Sequence, residues 1–269
     1  MALDLSYEVT GEGPPLVILH GLFGARRNWR AIAKGLAGSH RIWSLDLRNH
    51  GESPWDDNMS YEAMAGDIRA FMARHELGGA AVMGHSMGGK AAMALALTTP
   101  DIVGSLIVVD IAPVARPPDL RAYVRAMADI DLSTVRRRAE VGDLLAPAVP
   151  DRPVRAFLLQ NLATTDGGLK WRLNLDAIDR QMDVIGGFPD PLLERNYDGP
   201  TQFIAGAMSA YVKPEHRDLI LRLFPATVMS VIAGAGHWVH AEKPESLQRA
   251  VRRFLGQRAS RVAGPGGLK

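Results

Sequence analysis

The sequence predicts an α/β fold: a mostly parallel twisted sheet flanked by helices, with a helical cap inserted between two of its strands. Three observations carry that expectation. Short continuous apolar runs recur at 16–20 (LVILH), 41–46 (RIWSLD), 80–84 (AAVMG), 105–110 (SLIVVD), 201–206 (TQFIAG) and 227–234 (TVMSVIAG). They lack the alternation of a half-exposed strand, as expected where helices cover both faces of a sheet. Helical patterns fall between the runs, and strand–helix alternation is the rhythm of a doubly wound sheet. That rhythm breaks over 114–198 and resumes at 201.

Taken in order, residues 3–9 (LDLSYEV) set Leu3, Leu5, Tyr7 and Val9 on one side, and TGEGPP follows as a turn. Period two there predicts a half-exposed edge strand. Residues 60–77 carry Met64, Ile68, Phe71 and Met72 on one helical face and stop at Gly78-Gly79. The helical run 87–99 stops at Pro100, and 244–255 opens on Pro244 and is read as ending at Gly256. These are ordinary helix start and stop signals. Over 114–198 there are three helical patterns (DLRAYVRAMADI, STVRRRAEVGDLL, PVRAFLLQNLA) and no clear strand. Resumption of the sheet pattern favours a cap over a separate domain. The division is therefore a core of 1–113 and 199–256, a helical cap of 114–198, and a Gly-rich tail of 257–269 expected to be mobile.

Composition narrows the function classes. With 47% hydrophobic and 22% charged residues the chain can bury a large core. No apolar run reaches about 18 residues, so no membrane span is expected. The first residues, MALDLSYEVTGEG, lack the basic start and apolar block of a secretion signal. Cysteine is absent, which excludes disulfides and a thiol nucleophile, and a cytoplasmic protein is expected. The formal charge of +2 is too small to argue for nucleic acid, and the basic runs at 136–138 and 252–253 read as solvated helix faces. Oligomeric state is not legible.

The chemistry concentrates in three places. Gly84-His85-Ser86-Met87-Gly88 fits G-x-S-x-G and lies after a buried strand and before a helix. A sharp turn there lifts the Ser86 hydroxyl above the sheet edge, and the glycines avoid clashes across it. At 16–24 (LVILHGLFG) an apolar strand ends in a loop that can aim a backbone N–H at a developing oxyanion. Leu22 is the expected donor, with Phe23 the fallback, and the N–H of Met87 the second. Loss of one such donor costs on the order of 3 kcal/mol in hydrolases that use one. At 232–244 (IAGAGHWVHAEKP) His237 follows the last strand, and an imidazole suits the removal of a serine proton near neutrality. Of the other histidines, His85 is expected to point away from Ser86, His20 and His50 to be structural, and His40, His75 and His216 to sit near helix ends. His240 and Glu242 near His237 lack the spacing of a metal site, so no metal is expected.

These motifs, in this order, resemble the α/β-hydrolase superfamily over 14–256. DLRNHGESP (46–54) and GAGHWVHAEKP further resemble the YbfF-type bacterial esterases, a branch similar to the abhydrolase-domain proteins of mitochondria. The resemblance implies a Ser–acid–His triad, cleavage of esters or thioesters of small to medium acyl chains, and no cofactor. The superfamily's commonest acid position falls in the loop after strand 201–206, yet that loop reads Gly206, Ala207, Met208, Ser209, Ala210. Asp110 is the alternative: it ends the strand after the nucleophile's helix, on the same rim of a parallel sheet. Buried there, its carboxylate needs a partner, and His237 would serve. DIAP (110–113) also resembles the acid motif of this branch. Glu215 and Asp218 lie past the loop on a helical stretch, and Asp198 precedes its strand.

Phe23, Trp238, Trp171 and Tyr211, with Met87, are the candidates for an apolar acyl pocket roofed by the cap. The expected partner is a small-molecule acyl ester or thioester. Carbon–carbon bond hydrolysis or perhydrolysis on the same triad, and a non-catalytic ligand receptor, are the alternatives. Dehalogenases and epoxide hydrolases are disfavoured because those relatives have Asp where Ser86 stands.

Overall fold

The computed structural model describes residues 1–116 and 120–262, the side chains of 257–262 excepted. In chain order the strands are β1 (Tyr7–Thr10), β2 (Pro15–Leu19), β3 (Arg41–Leu45), β4 (Ala80–His85), β5 (Val103–Val109), β6 (Leu162–Thr165), β7 (Gly168–Trp171), β8 (Thr201–Gly206) and β9 (Thr227–Ile232). The helices of the core are α1 (Arg30–Leu36), α2 (Tyr61–Arg74) and α3 (Met87–Thr98). Between β5 and β8 lie α4 (Arg121–Ala128), α5 (Arg138–Leu145), α6 (Arg152–Leu159), α7 (Leu175–Arg180) and α8 (Met182–Gly186). The chain closes with α9 (Arg217–Leu223), α10 (Val239–Glu242) and α11 (Pro244–Val262).

Seven strands form one sheet in the order β1-β3-β2-β4-β5-β8-β9. β1 runs antiparallel at the edge, and the other six are mutually parallel. Alternate residues of each central strand point to opposite faces, and both faces are covered. Val17, Leu19, Val82, Val108 and Phe203 join one apolar cluster with Met64 and Ile68 of α2 and Leu95 of α3. Leu16, Ile18, Met83, Ile107 and Ile204 join a second with Ile32 and Leu36 of α1 and Leu247 and Val251 of α11. The uninterrupted apolar runs other than 227–234 are therefore double-faced strands.

Parallel register sets the C-terminal strand ends side by side. Leu19 pairs with Gly84, His85 with Val109, and Val109 with Ile204. The loops leaving these strands begin at His20, Ser86, Asp110 and Ala207, so four distant pieces of sequence share one rim.

Three expectations need correction. The stretch between β5 and β8 is not all helical: β6 and β7 pair as an antiparallel hairpin. Asp166-Gly167 at its tip is a turn signal that was present in the sequence. The last helix does not end at Gly256 but continues to Val262, because one helical glycine costs only about 1 kcal/mol. Residues 263–269 of the expected tail lie outside the described residues. β9 is not covered on both faces, since Val228 and Val231 are 54% and 67% exposed on this outermost strand. No helix among the described residues is long and apolar enough to cross a membrane.

Candidate active site

Ser86 occupies the turn between β4 and α3 with φ 52° and ψ −120°, a strained conformation for a residue with a side chain. The turn is tight enough that a Cβ at Gly84 would lie 2.1 Å from the Gly88 carbonyl oxygen. One at Gly88 would lie 2.4 Å from the carbonyl oxygen of His20. The two glycines are thus spatial requirements of the turn.

His237 follows β9 and reaches back over this rim. Its Nε2 lies 3.1 Å from Ser86 Oγ, and its Nδ1 lies 2.7 Å from Asp110 Oδ2. In the arrangement that satisfies both contacts, Nδ1–H donates to the carboxylate and Ser86 donates to Nε2. Asp110 is fully buried, directly after β5, with φ 54°. Its Oδ1 accepts from the N–H of Gly206 at 2.9 Å, and its Oδ2 also accepts from the hydroxyl of Ser209. The loop without an acid therefore supplies donors to an acid standing on the neighbouring strand. Glu215 and Asp218 lie in the helical stretch beyond that loop, as the sequence suggested.

Four further histidines surround this centre as neutral groups. Burial lowers His20 and His240 to about 4 and His50 to about 3, and carries His85 well below its ordinary value. His85 turns its Nε2 toward the His237 carbonyl at 2.9 Å. His20 Nε2 accepts from the N–H of Leu47, and His50 Nε2 accepts from the N–H of Phe23 at 3.2 Å. His240 stacks on Trp29 with centroids 4.5 Å apart.

The loop after β2 is held by His50, expected to be structural, and by Asn161. Phe23 sits at φ 60°, with its N–H committed to His50 and its carbonyl accepting from Asn161 Nδ2 at 2.8 Å. That rules out Phe23 as the fallback oxyanion donor. The Leu22 N–H meets no protein acceptor among the described residues. Leu22, Ser86 and Met87 all border one small cavity of about 70 Å³. The 46–54 segment supports the loop: Asp46 accepts from the Arg26 backbone N–H at 2.7 Å and forms an ion pair with its guanidinium. Arg48 is buried in a pair with Asp67, Nε to Oδ2 at 2.7 Å.

A larger cavity of about 340 Å³ opens at Ser86 and His237, with Phe23, Tyr211 and Trp238 in its wall. Tyr123 and Phe157, from α4 and α6, also line it. Tyr211 stacks on the His237 ring with centroids 3.7 Å apart and planes 13° from parallel. Trp171 does not reach this cavity. It lies in the β6–β7 hairpin, and its indole N–H donates to the Met127 carbonyl at 3.1 Å, which turns the ring into the packing of the α4–α8 segment.

A parallel sheet with a strained serine at a strand–helix turn, facing a histidine and a buried aspartate, defines an α/β hydrolase. Residues 14–142 match the α/β hydrolase fold family. The chain is 40% identical over 266 residues to sn-1-specific diacylglycerol lipase ABHD11 of Danio rerio, covering 94% of this chain and 83% of that one. It is 39% identical over 246 residues to esterase YbfF of Escherichia coli, covering 90% and 92%. A solved marine microorganism esterase superposes with a TM-score of 0.91 at 35% identity, covering 94% of this chain and all of that one. The chain belongs to the α/β-hydrolase fold family, in its YbfF-type, abhydrolase-domain esterase branch.

Proposed function

We propose that the protein is a serine hydrolase that cleaves carboxylic esters or thioesters through an acyl-enzyme, with Ser86, His237 and Asp110 as its triad. The observation that carries this reading is the unbroken contact chain from Ser86 Oγ through His237 to buried Asp110 at the mouth of an apolar cavity. The esterase and lipase names of its relatives support the reaction class.

In this mechanism His237 Nε2 removes the Ser86 proton as Oγ attacks the acyl carbonyl. Asp110 holds the imidazole in the tautomer with Nδ1 protonated and stabilises the cation that forms. Backbone N–H groups of Leu22 and Met87 receive the oxyanion. His237 then protonates the leaving alcohol or thiol, and a water that it activates releases the acid. The 114–198 segment acts as the cap over the site, with Tyr123 and Phe157 against substrate beside Phe23, Tyr211 and Trp238. Small to medium acyl chains and no added cofactor complete the reading.

Turnover of p-nitrophenyl esters, with fluorophosphonate labelling mapped by mass spectrometry, tests it. Label on the Ser86 peptide and loss of turnover in Ser86→Ala are expected. Label elsewhere, or turnover that survives in Ser86→Ala, refutes the assignment.

A further inference from the structure

The loop that carries the Leu22 N–H is a tight turn held from outside itself. The Gly24 N–H donates to the Gly21 carbonyl at 2.9 Å, which makes Leu22 and Phe23 the central pair of a β-turn. Phe23, the second of the pair, sits at φ 60°, where a type II turn favours glycine. A phenylalanine is strained there, and such a conformation persists only where surrounding contacts impose it. Both backbone groups of Phe23 meet such contacts: its N–H donates to His50 Nε2, and its carbonyl accepts from Asn161. Relaxing the strain changes the backbone angles of Leu22 and Phe23, and the Leu22 N–H shifts with them.

Asn161 comes from a distant part of the chain, 138 positions away, between α6 and β6. It is 1% exposed. Its Nδ2 donates to two carbonyls, Phe23 at 2.8 Å and Leu158 at 3.2 Å, and these two acceptors fix which end of the amide faces the loop. Its backbone is anchored as well. The Asn161 N–H donates to the Leu158 carbonyl at 3.0 Å, and its carbonyl accepts from the Arg172 N–H at 2.8 Å, at the base of the β6–β7 hairpin. The amide is therefore a rigid donor, mounted on the segment between β5 and β8 and directed at the turn. Packing alone does not call for it, since a buried leucine of similar size fills such a site with no polar atoms to satisfy.

We propose that Asn161 is a positioning residue of the oxyanion hole: by holding the Phe23 carbonyl it keeps the Leu22 N–H aimed at the oxyanion, which makes the 114–198 segment a working part of that hole and not only a wall of the cavity. The proposal rests on the serine hydrolase reading. Removing an oxyanion donor outright costs about 10²–10³-fold in kcat, and a donor displaced but still present forfeits part of that, on the order of tenfold. The loss falls on the transition state, where the oxygen carries charge, and not on ground-state binding.

The test compares kcat and KM for p-nitrophenyl butyrate, and inhibition by butyl trifluoromethyl ketone, in the unaltered protein, Asn161→Leu, Asn161→Ser and Gln160→Ala. Ser86 Oγ bonds to the carbonyl carbon of the ketone, the π pair moves onto its oxygen and His237 takes the serine proton, so the inhibition constant reads the oxyanion hole. Gln160→Ala is the control: the Gln160 side-chain oxygen accepts from Asn28 Nδ2 at 2.6 Å and ties the same segment to the core without touching Phe23. In both Asn161 variants kcat is expected to fall at least tenfold, KM to stay within threefold, and the ketone to bind at least tenfold more weakly. Gln160→Ala should stay within threefold of the unaltered protein throughout. Unchanged kcat in a folded Asn161 variant, a fall in kcat with the ketone bound as before, or an equal fall in Gln160→Ala overturns the proposal and leaves the hydrolase reading standing. If neither Asn161 variant folds, amide hydrogen exchange in the unaltered protein decides. The ketone should slow exchange in 158–163 together with 20–25, and slowing in 20–25 alone overturns the proposal. No ester turnover, with Ser86 unlabelled by fluorophosphonate, removes the hydrolase reading and the proposal with it.

Discussion

Ser209, in the loop after β8, donates its hydroxyl to the carboxylate of Asp110, which stands at the end of β5. With the Gly206 N–H on the other oxygen, the loop after β8 presents donors to an acid from the neighbouring strand. The electrostatic result is a buried carboxylate with accepted bonds on both oxygens and a fixed direction toward His237.

Asp110→Asn is expected to lower kcat by about 10³–10⁴-fold, in line with the effect of an amide in place of the acid in other triads. The amide fits the same space but offers N–H where His237 Nδ1–H needs an acceptor. Ester turnover in a folded variant, checked by circular dichroism, measures this. A loss of less than threefold would place the acid elsewhere.

Ser209→Ala removes one buried donor from Asp110 and leaves Gly206 and His237 in place. A single such hydrogen bond to a charged group is worth about 1.5 kcal/mol, so kcat should fall roughly tenfold with little change in melting temperature. Unchanged kcat would mean that Gly206 alone orients the carboxylate.

Two glycines should respond oppositely to alanine. Gly84→Ala drives a methyl into the Gly88 carbonyl oxygen at the elbow and should destabilise by about 3 kcal/mol or more. Gly66→Ala, inside α2 with nothing within 4 Å of the new Cβ, should stabilise by about 0.5–1 kcal/mol. Urea unfolding midpoints of the two variants check the contrast, and equal shifts would contradict it.

Acid should unfold the protein through its buried histidines. His20 and His240 titrate at about 4 and His50 at about 3 in the fold, against 6.5 when unfolded. Between those values the unfolded chain binds more protons, so stability rises with pH. This contribution is complete above about 6.5 and is lost as pH falls toward 4. Each histidine contributes about 1.4 kcal/mol of loss per pH unit in that window. Melting temperature recorded from pH 7.5 to 4.5 should drop steeply below 6.5, and a flat profile would refute the neutral-histidine cluster.

Much of the site was legible because its signals are local. A strained serine turn needs glycines at fixed offsets, so GHSMG between a strand and a helix marks Ser86 without any coordinates. Gly-Ala-Gly before His237 and the apolar strand ahead of Leu22 are similarly self-contained. The β6–β7 hairpin was missed although Asp166-Gly167 marked its turn, because its strands are four residues each and sit among helical patterns. Trp171 looked available as a substrate contact because sequence cannot show where a hairpin directs an indole.

By itself the sequence determined the α/β class, the order along the chain of the seven strands of the main sheet, and which serine and histidine face each other across the rim. Those follow from periodicity and turn sterics, which act over a few residues. The pairing of Asp110 with His237 was an expectation of the sequence, but only the tertiary structure decided that Ser209 and Gly206 hold that carboxylate against His237 and that Phe23's N–H belongs to His50. The hydrogen bonds among them join groups that are 27 to 127 positions apart. Hydrogen bonding and charge act over a few ångströms, and only strand register and helix packing bring such distant residues within that range.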